Sequence, residues 1–279
     1  MAALKPLEPG VMFWAGRDPL ETVRELKSLG VRCGQLLIPG GVSMDVAAIA
    51  DWRSALEAED FTVVTCFAAY DGEDYADRPT VERTIGFVPP GTRAEREART
   101  IELSDFAGAL GVPSIACHIG CVPEDTASPE YAAVRDTVRR ICDHAAGNGQ
   151  SFALETGQES AGALLAFLRD VDRPNVKVNF DPANMIMYGS GDPMEALDVL
   201  GPHVVSVHVK DGVWPEAGVP GGLGSERALG GGEVGMERYV AKLKEIGFTG
   251  PLNIEREARD HAERIADIQM GVALLRGLA

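Results

Sequence analysis

Five short apolar runs in this sequence each lead into an ionisable side chain: His118, Glu155, Asp181, His208 and Glu255. Two Glu, one Asp and one His form a hard, oxygen-dominated donor set with one nitrogen. Such a set suits one divalent ion, Mn²⁺ first with Mg²⁺, Co²⁺ or Zn²⁺ open, better than the sulfur-rich sets of structural zinc. Four ligands from Glu155, Asp181, His208 and Glu255 would leave one or two coordination positions for the oxygens of a substrate. A single strand-end carboxylate is usually a helix cap or half of an ion pair. Four at equivalent positions are harder to explain that way.

Something must bring these residues together. Ser151 to Leu154, Val176 to Phe180 and Val204 to Val207 read as buried strands, and Ser160 to Val171 and Pro193 to Leu200 as the helices between them. The same alternation extends to both ends of the chain. Strands are expected at Val11–Trp14, Val31–Ile38, Phe61–Phe67, Pro113–His118 and Pro251–Ile254. Helices are expected after Asp18 (closed by Gly30) and over Met44–Glu59, Arg93–Leu110, Tyr131–Ala146, Met236–Ile246 and Ala262–Leu278. Asp71 to Arg93 is too rich in Pro, Gly and charge for core and reads as a long loop, as does the Gly-rich stretch 211–235. Eight strands alternating with eight helices predict an α/β protein, a (β/α)₈ TIM barrel in a single domain over 1–279. A doubly wound sheet would carry a Gly-x-Gly-x-x-Gly after its first strand, and none follows Trp14.

Composition narrows the classes. With 26 basic against 42 acidic residues and a net charge of −16, the chain lacks the positive surface that nucleic acid requires. No apolar run reaches bilayer length, and the start, Met1 to Pro9, lacks the apolar centre of a signal peptide. A soluble, cytoplasmic protein with no membrane partner is therefore expected. Five cysteines without a Cys-x-x-Cys pair read as reduced structural thiols.

Five segments resemble the signature strand ends of the xylose isomerase-like TIM-barrel superfamily, in its sugar phosphate isomerase/epimerase branch of ketose 3-epimerases and inosose isomerases. They are Leu154-Glu155-Thr156, Phe180-Asp181-Pro182-Ala183-Asn184, Val207-His208-Val209-Lys210-Asp211, Leu229-Gly230-Gly231-Gly232-Glu233-Val234 and Ile254-Glu255-Arg256-Glu257. The resemblance covers essentially the whole chain. It implies that Glu155, Asp181, His208 and Glu255 hold a divalent metal and that the two glutamates exchange protons with a sugar. The ketose 3-epimerases carry Asp-x-x-His on the sixth strand, where this chain has Asn184. Endonuclease IV shares the barrel but adds His ligands for a trinuclear zinc cluster that this chain lacks.

The expected activity is then a metal-dependent isomerase or epimerase of a ketose, inosose or related keto-sugar, working through a metal-held enediolate with Glu155 and Glu255 as acid and base. The alternatives are a lyase on the same scaffold (inosose dehydration, or β-elimination from a 3-keto-C-glycoside) and a non-catalytic sugar-binding protein. His118, Asn184, Lys210, Trp14 and Glu159 are the substrate-binding candidates. Each has a plainer reading: His118 as a satisfied core histidine, Lys210 paired with Asp211, Trp14 as barrel packing, Glu159 as a cap of the next helix. The glycine run at 230–232 lacks the Lys-Ser/Thr of a phosphate cradle, which favours an unphosphorylated sugar. A homo-oligomer, dimer or tetramer, is the expected assembly.

Overall fold

The computed structural model describes residues 4–219 and 221–278; part of the stretch read for a signal segment, residues 1–3, lies outside them. Eight parallel strands close into a barrel: β1 (Pro9–Trp14), β2 (Cys33–Ile38), β3 (Thr62–Ala68), β4 (Ser114–Cys117), β5 (Ser151–Glu155), β6 (Val176–Phe180), β7 (Val204–Val209) and β10 (Leu252–Ile254). β1 closes the ring between β2 and β10, with Val11 opposite both Gly34 and Ile254. Two further strands, β8 (Asp211–Val213) and β9 (Ser225–Arg227), form a small antiparallel hairpin over the stretch read as a Gly-rich loop.

Helices α1 (Pro19–Ser28), α2 (Val46–Ala58), α4 (Arg93–Ala109), α5 (Pro129–Gly147), α6 (Ala161–Val171), α8 (Pro193–Leu200), α9 (Met236–Glu245) and α10 (His261–Leu278) lie close to their expected spans. Local chemistry explains the starts of five of them. Asp18, Asp45, Ser128, Ser160 and Asp192 each accept a backbone N–H of the first turn, which satisfies donors that have no partner within the helix.

Two short helices depart from the expected eight. α7 (Pro182–Tyr188) follows β6 directly, capped by Asp181, with Pro182 in its first turn and Gly189 (φ +67°) closing it. α3 (Arg78–Thr84) lies inside the segment read as a polar loop. That segment is not all surface, since Val81, Ile85 and Phe87 are fully buried. Its composition misled because three apolar side chains suffice to anchor it: Val81 and Ile85 pack with Tyr188, and Phe87 joins the main core.

The strand period of two sorts side chains between two cores. Phe152 and Leu154, Val178 and Phe180, Val207 and Val209, and Leu252 and Ile254 pack outward into the large cluster beneath the helices. Their alternates point into the barrel. Met12, Leu37, Phe67, Ala116 and Ala153 form a small apolar group there, and Gln35, Asn179, Ser206 and Asn253 are buried polar residues. Continuing each strand by two residues carries this inward face to Glu155, Asp181, His208 and Glu255.

Candidate metal centre and sugar pocket

One ligand atom from each of Glu155, Asp181, His208 and Glu255 lies within 4.8 Å of all the others, and the four residues are buried. His208 Nδ1 is the nitrogen concerned, 2.8 Å from Glu155 Oε1, 3.3 Å from Asp181 Oδ2 and 3.1 Å from Glu255 Oε2. Asp181 serves two ends: its Oδ1 accepts the Asn184 N–H that caps α7, which leaves Oδ2 to face the imidazole.

The donor set fits a divalent cation. Glu255 Oε2 is buried and makes no well-directed hydrogen bond, although Lys210 Nζ and His208 Nδ1 each lie 3.1 Å away. A carboxylate oxygen in that state is expected where a metal, rather than an N–H, is the intended partner. Burial alone would lift the Glu155 carboxyl, but His118 and His208 beside it hold it well below the usual carboxylate range. Burial opposes charge on His208 as well, yet Glu255 and Glu155 push its pKa well up.

His118 Nε2 lies 2.7 Å from Glu155 Oε2, so this histidine touches a carboxylate of the cluster rather than filling the core. Burial lowers its pKa and Glu155 raises it, with a net result of about 8. Asn184 Nδ2 donates to Glu155 Oε1 at 3.3 Å from the first turn of α7. Lys210 does not pair with Asp211: its ammonium contacts Glu257 at 2.6 Å and Glu255 at 3.1 Å. Asp211 turns instead to the glycine run, accepting the N–H groups of Gly230, Gly232 and Val234.

Glu155, Glu255, His118, Asn184 and Lys210 line a cavity of about 680 Å³ at the carboxyl ends of the strands, with Trp14 and Phe67 on its wall. Glu159 is not brought there. Its Oε1 accepts the Val122 N–H at 3.0 Å, and it lines a separate cleft with Gln158 and Cys121, while the helix it was expected to cap is capped by Ser160. Gly120, two residues beyond His118, serves a close backbone approach: it has φ +85°, and a Cβ on it would lie 2.3 Å from the Ile85 carbonyl oxygen. Cys66 lies within β3, which continues to Ala68.

Several lining residues escaped the sequence reading. Glu73 and Tyr75 sit just after β3, and Glu226, Glu257, Arg259 and Arg264 belong to β9 or follow β10. Position alone was the available signal, because loops that follow barrel strands build the functional face. Gln35, buried within β2, accepts from His208 Nε2 at 2.8 Å and was likewise missed.

A closed parallel barrel whose strand ends gather three carboxylates and an imidazole about one centre defines a TIM-barrel protein with a site suited to a divalent metal. The family model described as xylose isomerase-like TIM barrel matches residues 23–278, and the chain belongs to that family. A xylose isomerase domain protein from Planctomyces limnophilus is 42% identical, with a TM-score of 0.93 over 98% of this chain and 97% of its own. D-psicose 3-epimerase, solved in the presence of D-fructose, is 17% identical with a TM-score of 0.70 over 97% and 99% of the two chains, which speaks for the fold alone. L-ribulose 3-epimerase of Methylomonas sp. (strain DH-1) is 28% identical over 60% of this chain and 57% of its own length. The match thus spans little more than half of that curated relative. Among the described residues no helix is long and apolar enough to cross a membrane.

Proposed function

We propose that this protein is a divalent-metal-dependent isomerase or epimerase of a ketose, inosose or related keto-sugar. The observation that carries the reading is the meeting of Glu155, Asp181, His208 and Glu255 within 4.8 Å, with Glu155 and Glu255 lining a cavity large enough for a sugar. The bound ion, Mn²⁺ in this reading, would polarise a substrate carbonyl and so acidify the neighbouring C–H.

The remaining work falls to side chains. Glu155 and Glu255 come from β5 and the end of β10, strands separated by β6 and β7 around the ring, and so approach from different sides. One removes the carbon-bound proton and the other delivers a proton, either to the same carbon from the opposite face or to its neighbour. His118, 2.7 Å from Glu155, receives or supplies the proton that Glu155 exchanges. Lys210, whose positive charge Glu255 and Glu257 stabilise against burial, holds a substrate oxygen as negative charge develops. Asn184 binds a hydroxyl or carbonyl, and Trp14 gives the ring an apolar face.

The test is hydrogen exchange. With Mn²⁺ present, wild-type protein is expected to move deuterium from deuterated water into a keto-sugar, and chelation should stop it. Glu155→Gln and Glu255→Gln should each lose exchange by a factor of about 10³ or more while retaining the wild-type circular dichroism spectrum. Undiminished exchange in both variants would remove the acid–base assignment, and product analysis separates isomerisation from elimination.

A further inference from the structure

We propose that Arg264 and Arg259, with the Trp14 ring, form an anion-binding subsite that takes a carboxylate or phosphate borne by the substrate away from its reacting carbonyl. The inference rests on the keto-sugar reading of the same cavity and adds a class of substrate to it.

The charges lining the cavity are unevenly matched. Every carboxylate there already has a cationic or N–H neighbour. Glu155 has His118 and His208, and Glu255 and Glu257 have Lys210. Glu226 has Arg256 and the Glu257 N–H, and Glu73 has the N–H groups of Tyr70 and Gly86. His118 and Lys210 are thereby used on the positive side. Arg264 and Arg259 also line the cavity, and among the described residues neither makes a salt bridge to a carboxylate.

Arg264 is nevertheless held in place. Its guanidinium lies 5.3 Å from the Trp14 ring centre and donates to the Ala258 carbonyl at 3.3 Å. It also contacts His261 Nδ1 at 3.1 Å, and His261 Nε2 is 2.8 Å from Glu25. An Nε2–H donated to Glu25 leaves Nδ1 as a neutral acceptor, so Arg264 is oriented by groups that do not cancel its charge. A fixed guanidinium with donors to spare is a good partner for a planar carboxylate or a phosphate. On a chain of net charge −16, whose overall field disfavours anions, such a local pair matters more.

Volume supports the same conclusion. About 680 Å³ lies well inside the roughly 300–1,000 Å³ range that encloses drug-sized ligands, so the cavity has room beyond one sugar ring. The glycine run cannot serve as the anion site, because Asp211 already takes its amides.

The Mn²⁺-loaded protein should be titrated calorimetrically at low salt with D-fructose, D-fructuronate and D-fructose 6-phosphate, which share a ketose end and differ at the other. At least one anionic ligand is expected to bind about tenfold or more tightly than fructose, with the advantage shrinking at high salt. The tighter of the two anions tells carboxylate from phosphate. In the Arg259→Gln/Arg264→Gln double variant the ratio of anionic to neutral affinity should fall to near one. A wild-type protein that binds neither anion, or binds them no better than fructose, overturns the subsite, as does a preference that survives in the double variant. Hydrogen exchange into fructose keeps the two readings apart. If exchange persists without an anion preference, only the subsite falls; if an arginine-dependent preference exists but no keto-sugar exchanges, only the isomerase reading falls.

Discussion

Gln35 sets the state of the imidazole at the candidate metal centre. Its Nε2 donates to Asn179 Oδ1 at 2.9 Å, which also accepts from Ser206, so Gln35 Oε1 is left to accept the His208 Nε2–H at 2.8 Å. With that proton committed, the Nδ1 lone pair is the one available to a cation. Gln35→Leu should weaken Mn²⁺ binding by about 10- to 100-fold without touching a ligand, while Gln35→Glu, which keeps an acceptor, should lose less. Calorimetric titration of Mn²⁺ would reveal the difference, and unchanged affinity in the leucine variant would refute the tautomer argument. Gln35 also marks where residue-level reading stopped. The four ligand candidates were legible because each ends an apolar run at a strand terminus. Gln35 sits inside Cys33-Gly34-Gln35-Leu36-Leu37-Ile38, and only the closed ring, which brings β2 across from β6 and β7, gives it a partner.

At the scale of elements, the loops on the face that carries the cavity are held by carboxylates and close backbone contacts. Asp211 accepts four backbone N–H groups, from Gly212, Gly230, Gly232 and Val234, and pins the turn at 230–234 against the β8–β9 hairpin. Gly232 must be glycine for this, since a Cβ there would lie 2.2 Å from Asp211 Oδ1. Asp211→Ala should cost about 1–3 kcal/mol by leaving these donors without their acceptor. A lower urea midpoint and faster proteolysis near the hairpin would register it. The loop before α4 crosses the one after β4 so closely that a Cβ on Gly86, at φ +62°, would lie 2.0 Å from the Ile119 carbonyl carbon. Gly86→Ala should therefore destabilise the protein by about 1–3 kcal/mol and displace His118 nearby, a shift readable in the imidazole NMR signals. Long helices and buried strands were legible from apolar period and caps. The seven-residue α3 and α7 were not, because two turns are too short to establish a period and their anchors come from elsewhere in the chain.

For the whole molecule, acid should loosen the barrel through ion pairs that join successive elements. Arg32, at the entry to β2, holds Glu8, at the entry to β1, through contacts of 2.7 and 2.8 Å; Arg140 on α5 grips Glu97 on α4 through two contacts of 2.6 Å. Hydrogen bonding to these guanidiniums holds both carboxyls below their ordinary value, although partial burial works against it. A carboxyl whose pKa is depressed by folding binds fewer protons in the native state than in the unfolded one. Its contribution is therefore complete above the ordinary glutamate value, about 4.3, and disappears as pH falls through the lower folded value. Melting temperature should accordingly change little between about pH 7 and pH 5 on account of these pairs and drop between about pH 5 and pH 3. Removing the cations in an Arg32→Met/Arg140→Met variant should lower stability at neutral pH and flatten the acid limb. High salt should reduce the difference, since Arg140 is more than half exposed. If wild type and variant lose the same stability between those two pH values, these clamps are not what acid releases.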